Sequence, residues 1–201
     1  MLLERGYVDG LTVRTVPAIA AAVGIDLPFA PRGGAQLDQL IDEEHSAMVD
    51  AVVACLNDAG WETMVEFSFN DFGDRGSVDV LAWHAECRAL VIVETKSRLA
   101  NLQDTFRALD AKVRIVPRLV GQARGWRPNL VGVLLVVQES TREREAVARR
   151  GATFSAAFPD RNLAIRAWLR SPDRPLRGLW FLRNATTSCV VRGVGRRKAG
   201  R

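Results

Sequence analysis

The sequence has few cysteines, no long apolar run and none of the short motifs that mark the common α/β enzyme classes. Its three cysteines, Cys55, Cys87 and Cys189, are widely spaced and form no CxxC pair, which argues against a zinc site and fits free thiols in a reducing cytoplasm. No apolar run approaches the roughly 20 residues needed to span a bilayer, and the first residues lack the order of a secretory signal. No Gly-rich phosphate loop, GxSxG or HExxH motif occurs. We therefore expect a cytoplasmic protein without a membrane partner, and little supports a generic α/β enzyme.

Charge is distributed unevenly along the 201 residues, whose net charge is +5. The last ten residues carry five basic residues and no acidic one, which predicts a disordered basic tail over 186–201. Residues 37–94 hold thirteen Asp and Glu against two Arg, whereas residues 97–128 hold seven basic residues against two Asp. An acid-rich half followed by a basic helix suits a cation site beside a phosphate-binding surface. Ordinary solvated faces are the alternative.

The spacing of apolar residues predicts an α/β domain. It indicates strands at 62–69, 77–83, 89–95, 130–137 and 179–182, and helices at 12–27, 37–57, 99–124, 142–150 and 161–169. Only five residues separate the second and third strands, which should therefore form a hairpin. A Pro- and Gly-rich linker over 29–36 separates the first helix from the rest. The alternating charges of the helix at 142–150, including Glu143, are typical of a solvated face.

Three ionisable residues lie within two neighbouring predicted strands. Glu94 and Lys96 are two residues apart and project to the same face, and Asp79 lies midway along the preceding strand. A charged residue in an apolar strand is costly to bury unless it is paired or bound to a metal. We therefore expect the three to converge on one side of the sheet.

Two carboxylates and a lysine together favour a metal site. Oxygen ligands favour Mg²⁺ or Mn²⁺ over zinc, and a neighbouring lysine can orient or deprotonate the attacking water and stabilise charge on a phosphate. The alternative is a buried ion pair of Lys96 with Glu94 or Asp79 that has no catalytic role.

The order Gly76-Ser-Val-Asp79, fourteen further residues, then Glu94-Thr-Lys96 resembles the signature of the PD-(D/E)xK nuclease superfamily. Val78 stands where the signature has proline. The resemblance implies a restriction-endonuclease-like core over 37–185, in which a mixed central sheet in the order α-β-β-β-α-β is flanked by helices. It also implies DNA as partner, with a homodimer possible. Asp79 and Glu94 would be metal ligands and Lys96 the water-orienting base, so that all three would be catalytic.

Other residues are candidates for supporting roles. Members of this superfamily often add a further acidic ligand, for which Glu44 in the first helix of the core and Glu66 in the first strand are the candidates; for each of them a role as a structural carboxylate is an equally good interpretation. His45 is more consistent with a satisfied core histidine than with a ligand. Arg98, Gln103 and Lys112 are candidates for contacts with DNA; for Gln103 and Lys112 a role as ordinary exposed helix residues is at least as good an interpretation.

The N-terminal segment carries a second resemblance. Leu3-Glu-Arg-Gly6 and the run from Leu11 to Gly24 resemble the second half of a lambda-repressor-like (XRE-type) helix-turn-helix domain, which implies a partial remnant of that domain over 1–28. Two functions follow from the two resemblances. The first is a magnesium-dependent DNA endonuclease, favoured by the presence of Asp79, Glu94 and Lys96. The second is a non-catalytic DNA-binding transcriptional regulator that uses the nuclease-like fold for sensing or dimerisation.

Overall fold

The computed structural model describes the backbone of residues 34–183 and the side chains of residues 43–183. The predicted helix at 12–27, the helix-turn-helix remnant, nearly all of the linker and the basic tail lie outside the described residues. The chain divides into two units, 1–39 and 40–201, and the description below concerns the second, with residues 34–39 included only as the beginning of a helix. No helix among the described residues has the length and apolarity to cross a membrane.

Five strands and five helices make up the described part of the chain. In chain order they are α1 Gly34–Asp58, β1 Glu62–Asp71, β2 Asp74–His84, β3 Ala89–Lys96, α2 Leu102–Arg124, β4 Leu130–Gln138, α3 Thr141–Arg149, α4 Gly151–Ala157, α5 Asn162–Arg170 and β5 Leu176–Leu182. The strands form one sheet in the order β1-β2-β3-β4-β5. β1, β2 and β3 are antiparallel neighbours, whereas β4 is parallel to both β3 and β5. The predicted α/β class with a mixed sheet flanked by helices is therefore confirmed.

The uninterrupted apolar sequences of β3 and β4 are explained by packing on both faces of the sheet. Val91 and Val93 of β3 share a core with residues of α1 and α5, including Val52 of α1. Leu90 and Ile92 alternate with them and pack in a second core with α2. Helices α1 and α2 thus cover opposite faces, and alternate residues of β3 belong to different sides of the molecule.

Helix α5 approaches the sheet closely because two glycines lie beneath it. A Cβ atom at Gly132 of β4 would lie 2.5 Å from Cη2 of Trp168, and one at Gly178 of β5 would lie 2.8 Å from Cδ1 of Ile165. Both distances are shorter than van der Waals contact allows, so a side chain at either position would push the helix away.

The observed elements differ from the predicted ones mainly at their ends. Helix α2 begins at Leu102 rather than at 99, because the side chain of Asn101 caps it by accepting a hydrogen bond from the backbone N–H of Asp104. The short helix α4 was not predicted. Cys87 has a free thiol, whereas Cys55 is disulfide-bonded, so the prediction of free thiols is wrong for Cys55.

Candidate functional site

Glu94 is held by two lysines. Its side chain is 8% exposed; Nζ of Lys96 lies 2.7 Å from Oε1, and Nζ of Lys112 bonds to Oε2. Lys96 follows two residues after Glu94 on β3, so the predicted shared face is confirmed for this pair. Lys112 comes from α2 and is itself buried. Both carboxylate oxygens of Glu94 are therefore bonded to cationic groups.

Asp79 bonds to Thr95, the residue between Glu94 and Lys96. Oδ2 of Asp79 accepts a hydrogen bond of 2.7 Å from the backbone N–H of Thr95 and one of 2.8 Å from its hydroxyl. The same hydroxyl lies 3.2 Å from Nδ1 of His45 on α1. The expectation that His45 is a satisfied core histidine agrees with this contact, since its ring is half-buried and has a polar partner.

The bond from Asp79 to Thr95 replaces part of the ladder between β2 and β3. Backbone pairing of these strands ends at Val80 with Val93, one residue before Asp79 would meet Glu94. Beyond that point the backbone N–H of Thr95 has no carbonyl partner on β2, and the Asp79 carboxylate accepts it instead. Asp79 therefore lies where the two strands separate. In a regular strand pair its side chain would not bond to the backbone of the neighbouring strand in this way.

The prediction that Asp79, Glu94 and Lys96 converge on one side of the sheet is wrong. Glu94 and Lys96 line a cleft of about 340 Å³ together with Arg98 and residues at the beginning of α2. Asp79 lines a different cleft, of about 400 Å³, together with His45 and Asp50 of α1 and Glu66 of β1. The separation follows from alternation along β3. The side chain of Thr95 points to the face opposite that of Glu94, towards α1, and its hydroxyl bonds to Asp79 on that face.

The structure distinguishes the two candidates for a further acidic ligand. Glu66 lies in the Asp79 cleft and would face Asp79 in the register of β1 and β2, between the pairs Val65–Val80 and Phe67–Val78. Its backbone φ is 55°, a conformation that non-glycine residues rarely adopt and that is common at functional sites. Glu44 is exposed on α1 and does not line that cleft.

The three candidates for DNA contacts are in different surroundings. Arg98 is exposed in the Glu94 cleft. Gln103 is exposed in a neighbouring cleft of about 670 Å³ along α2. Lys112 is buried in its bond to Glu94, so it faces the site and is not an exposed helix residue.

Two residues of the site region were missed or misjudged in the sequence. Thr95 joins Asp79 to β3, and its only signal was its place between two charged motif residues. Glu143 was interpreted as solvated, but it is buried, and its Oε2 accepts a 2.9 Å hydrogen bond from the backbone N–H of Leu99. Glu143 thereby fixes the segment that leads from Lys96 to α2. Arg98, Ala100 and Asn101 of this segment form one wall of the Glu94 cleft.

The acidic residues fit a divalent cation only in part. Within residues 43–183 no three His, Cys, Asp or Glu side chains are grouped to hold a metal ion together. Asp79 uses Oδ2 for both of its bonds to Thr95, and no described group bonds to its Oδ1. Glu94 would have to release Lys96 or Lys112 before one of its oxygens became available. The two carboxylates therefore do not form one metal site as they stand, because they line different clefts and Glu94 is bonded to both lysines.

The chain was also compared with known proteins. No protein-family model matches it, and no curated protein matches it. The function is therefore inferred from the residues of the site themselves.

Proposed function

We propose that the chain is a metal-dependent nuclease that hydrolyses phosphodiester bonds in DNA, built on a core of the restriction-endonuclease type. The observation that carries the proposal is the bond from Asp79 to Thr95. It joins Asp79 to the segment that bears Glu94 and Lys96, at the point where β2 and β3 separate. This bond brings Asp79 next to the second half of the motif along the chain, although the carboxylates of Asp79 and Glu94 line different clefts.

The residues of the two clefts suggest a division of roles. Asp79 and Glu94 would hold Mg²⁺ or Mn²⁺ after a rearrangement that frees Glu94 from a lysine and brings the two carboxylates from their separate clefts to one ion, with Glu66 as the next acidic neighbour of Asp79. When bound, the ion would lower the pKa of a water molecule and stabilise negative charge on the phosphate. The ammonium group of Lys96, whose side chain is 36% exposed, would orient that water. Arg98, exposed in the same cleft, would bind the phosphate of the substrate.

Support also comes from the strained backbone of Glu66. A left-handed φ of 55° within a strand costs on the order of 1–3 kcal/mol, and Glu66 stands opposite Asp79 in the register. Such conformations persist where the surrounding structure enforces them, and they are concentrated at active sites.

One observation favours the second candidate, a non-catalytic DNA-binding regulator. Lys96 and Lys112 neutralise the Glu94 carboxylate without a metal ion. A carboxylate that is compensated by lysines in this way needs no bound metal ion to be buried.

Cleavage of supercoiled plasmid DNA distinguishes the two candidates. The wild type should nick the plasmid with Mg²⁺ or Mn²⁺ and not with EDTA, and Asp79→Asn and Glu94→Gln should each reduce the rate at least 100-fold. Glu145→Gln is the matched control, because Glu145 is exposed on α3 and its one ion pair within residues 43–183 is with Arg149. DNA binding without cleavage above the level of the variants would contradict the nuclease and favour the regulator.

A further inference from the structure

The imidazole ring of His45 on α1 has one nitrogen in use and one available. Its Nδ1 lies 3.2 Å from the hydroxyl oxygen of Thr95. Within residues 43–183 no group bonds to its Nε2. The ring is half-buried and lines the cleft that contains Asp79. The contact with Thr95 thus satisfies one ring nitrogen and leaves the other available to a molecule in this cleft.

The hydrogen bonds of Thr95 determine which nitrogen of His45 carries a proton. The hydroxyl of Thr95 has a single proton, which it donates to Oδ2 of Asp79 at 2.8 Å, because an ionised carboxylate can only accept. The hydroxyl oxygen must then accept the hydrogen bond that joins it to His45, so Nδ1 of His45 is the donor. In the neutral ring Nε2 therefore carries the lone pair. Asp79 thus fixes the tautomer of His45 through Thr95.

Neither Lys96 nor its partners supplies an acceptor for the proton of the attacking water. The ammonium of Lys96 is bonded to Glu94 and has no lone pair. Lys112 is paired with the same carboxylate, so both oxygens of Glu94 are in use. The guanidinium of Arg98 stays protonated in proteins. The proton acceptor of the proposed hydrolysis must therefore be another residue.

We propose that His45 is a catalytic residue whose Nε2 accepts a proton from the water molecule that attacks the phosphodiester. The proposal rests on the proposed function and deepens it by naming the proton acceptor. The water oxygen forms a bond to phosphorus while the bond from phosphorus to the leaving oxygen breaks. The proton of the water passes to Nε2, solvent protonates the leaving oxygen, and the imidazolium returns its proton to solvent.

The composition of the Asp79 cleft suits this role. The cleft of about 400 Å³ is lined by Asp50, Glu66 and Asp79 as well as His45. Carboxylates are weaker bases than imidazole near neutral pH, which favours His45 as the acceptor. Their negative charges stabilise the imidazolium that forms when the ring takes up the proton. The cleft thus combines a free lone pair with charge that stabilises the product of the transfer.

The tautomer of His45 can be measured without any activity. His84 is the only other histidine of the chain, and its Nδ1 accepts a 3.4 Å hydrogen bond from the backbone N–H of Cys87. Long-range ¹⁵N–¹H NMR spectra at about pH 8.5, where imidazoles are neutral, should therefore show opposite tautomers, Nδ1–H for His45 and Nε2–H for His84. Thr95→Val should change the tautomer of His45 alone. An Nε2–H form of His45 in the wild type would overturn the proposal.

Single-turnover nicking of plasmid DNA tests the catalytic role. His45→Gln should slow nicking about 100-fold and change DNA binding less than twofold. Added imidazole should restore part of the rate to His45→Ala and none to Asp79→Asn, because only the first variant lacks just a base. The matched control is His84→Asn, which should nick like the wild type, since His84 lines neither cleft. Circular dichroism checks that each variant is folded.

The possible results separate this inference from the proposed function. A nicking rate of His45→Gln within twofold of the wild type would overturn the role of His45 alone and leave the nuclease in place. Loss of Mn²⁺ binding in His45→Gln would make the ring a metal ligand and would also overturn its role as proton acceptor. A wild type that cleaves no DNA would overturn both the inference and the proposed function.

Discussion

Lys112 of α2 bonds to Glu94 of β3 inside the domain, and the side chain of each residue is only 8% exposed. The pair crosses from helix to sheet beside Lys96, which bonds to the other oxygen of the same carboxylate. Glu94 is thus both the central acid of the candidate site and the anchor of two cationic side chains. Its behaviour on mutation should reveal both roles.

Removing Lys112 should destabilise the fold strongly. Lys112→Met leaves a buried carboxylate with one cation in place of two, and the loss of one partner of a buried pair costs about 3 kcal/mol or more. The double variant Glu94→Gln with Lys112→Met should recover part of this loss, because it removes the buried carboxylate together with its buried lysine and leaves only Lys96, whose side chain is 36% exposed, without its partner. Urea unfolding of the two single variants and the double variant gives the coupling free energy.

An exposed ion pair serves as the control for that cycle. Arg114 and Asp74 are 71% and 54% exposed, and such pairs contribute less than about 1 kcal/mol. Equal coupling energies for the buried and exposed pairs would contradict the assignment of Lys112 as a buried partner of Glu94.

Thr95 should stabilise the position of Asp79. Thr95→Val keeps the size of the side chain and the backbone N–H but removes the hydroxyl that donates to Asp79 and contacts His45. We expect a loss of about 1–2 kcal/mol in the free energy of unfolding, since the lost bond is to a charged group. Thr63→Val is the control, because the hydroxyl of Thr63 donates to Asn57 at the exposed surface and its loss should change stability by less than about 0.5 kcal/mol. A loss in Thr95→Val no larger than in the control would argue against this role.

Asp160 should make stability depend on pH in the acid range. The hydrogen bonds that Arg174 donates hold the pKa of the Asp160 carboxyl below its ordinary value, helped by the backbone N–H of Arg177, while burial acts in the opposite direction. A lowered pKa in the folded state stabilises the protein above the ordinary pKa of about 3.9. This stabilisation is lost as the pH falls through the folded pKa.

Replacement of Asp160 tests this dependence. Asp160→Asn should be less stable than the wild type at pH 7, and the difference should shrink steadily below pH 4. Thermal unfolding between pH 7 and pH 2 measures it. Asp173→Asn, a nearby exposed aspartate, is the control and should follow the wild type at every pH. A difference between Asp160→Asn and wild type that stays constant with pH would exclude the link to ionisation.

The glycines under α5 should not tolerate a methyl group. Gly132→Ala would place a Cβ atom 2.5 Å from the ring of Trp168, and Gly178→Ala would place one 2.8 Å from Ile165. Overpacking of this kind costs about 1–3 kcal/mol. Gly151→Ala is the control, since no neighbouring atom lies within 4 Å of a Cβ atom there and alanine favours the helix. Chemical unfolding of the three variants checks the contrast, and equal stability would show that α5 has room to move.

The sequence predicted those features that depend on local periodicity. The apolar runs at 89–95 and 130–137 identified β3 and β4 as strands, and the two-residue spacing identified the shared face of Glu94 and Lys96. The position of Asp79 was not predictable in this way, because it depends on where the ladder between β2 and β3 ends. Alternation along a strand carries no information about that point.

The burial of charged side chains could not be predicted from local sequence patterns either. Lys112 is one of seven basic residues in a stretch of the sequence, and only the packing of α2 on β3 shows which of them is buried against Glu94. Glu143 stands in an arginine-rich helix, where a carboxylate is normally exposed, but the backbone of Leu99 provides a partner for it inside the fold. Such partners are distant in sequence, and the tertiary structure is needed to reveal them.

Mn²⁺ binding to the metal-free protein, followed by the EPR signal of the free ion, tests most directly whether Asp79 and Glu94 form a cation site despite the two lysines. We expect the wild type to bind Mn²⁺ and both Asp79→Asn and Glu94→Gln to bind it at least tenfold more weakly. Lys112→Met should bind at least as tightly as the wild type, provided that circular dichroism shows it to be folded. If the wild type binds no Mn²⁺, or if Asp79→Asn and Glu94→Gln each bind it as tightly as the wild type does, the site is not a metal site and the proposed nuclease mechanism is wrong.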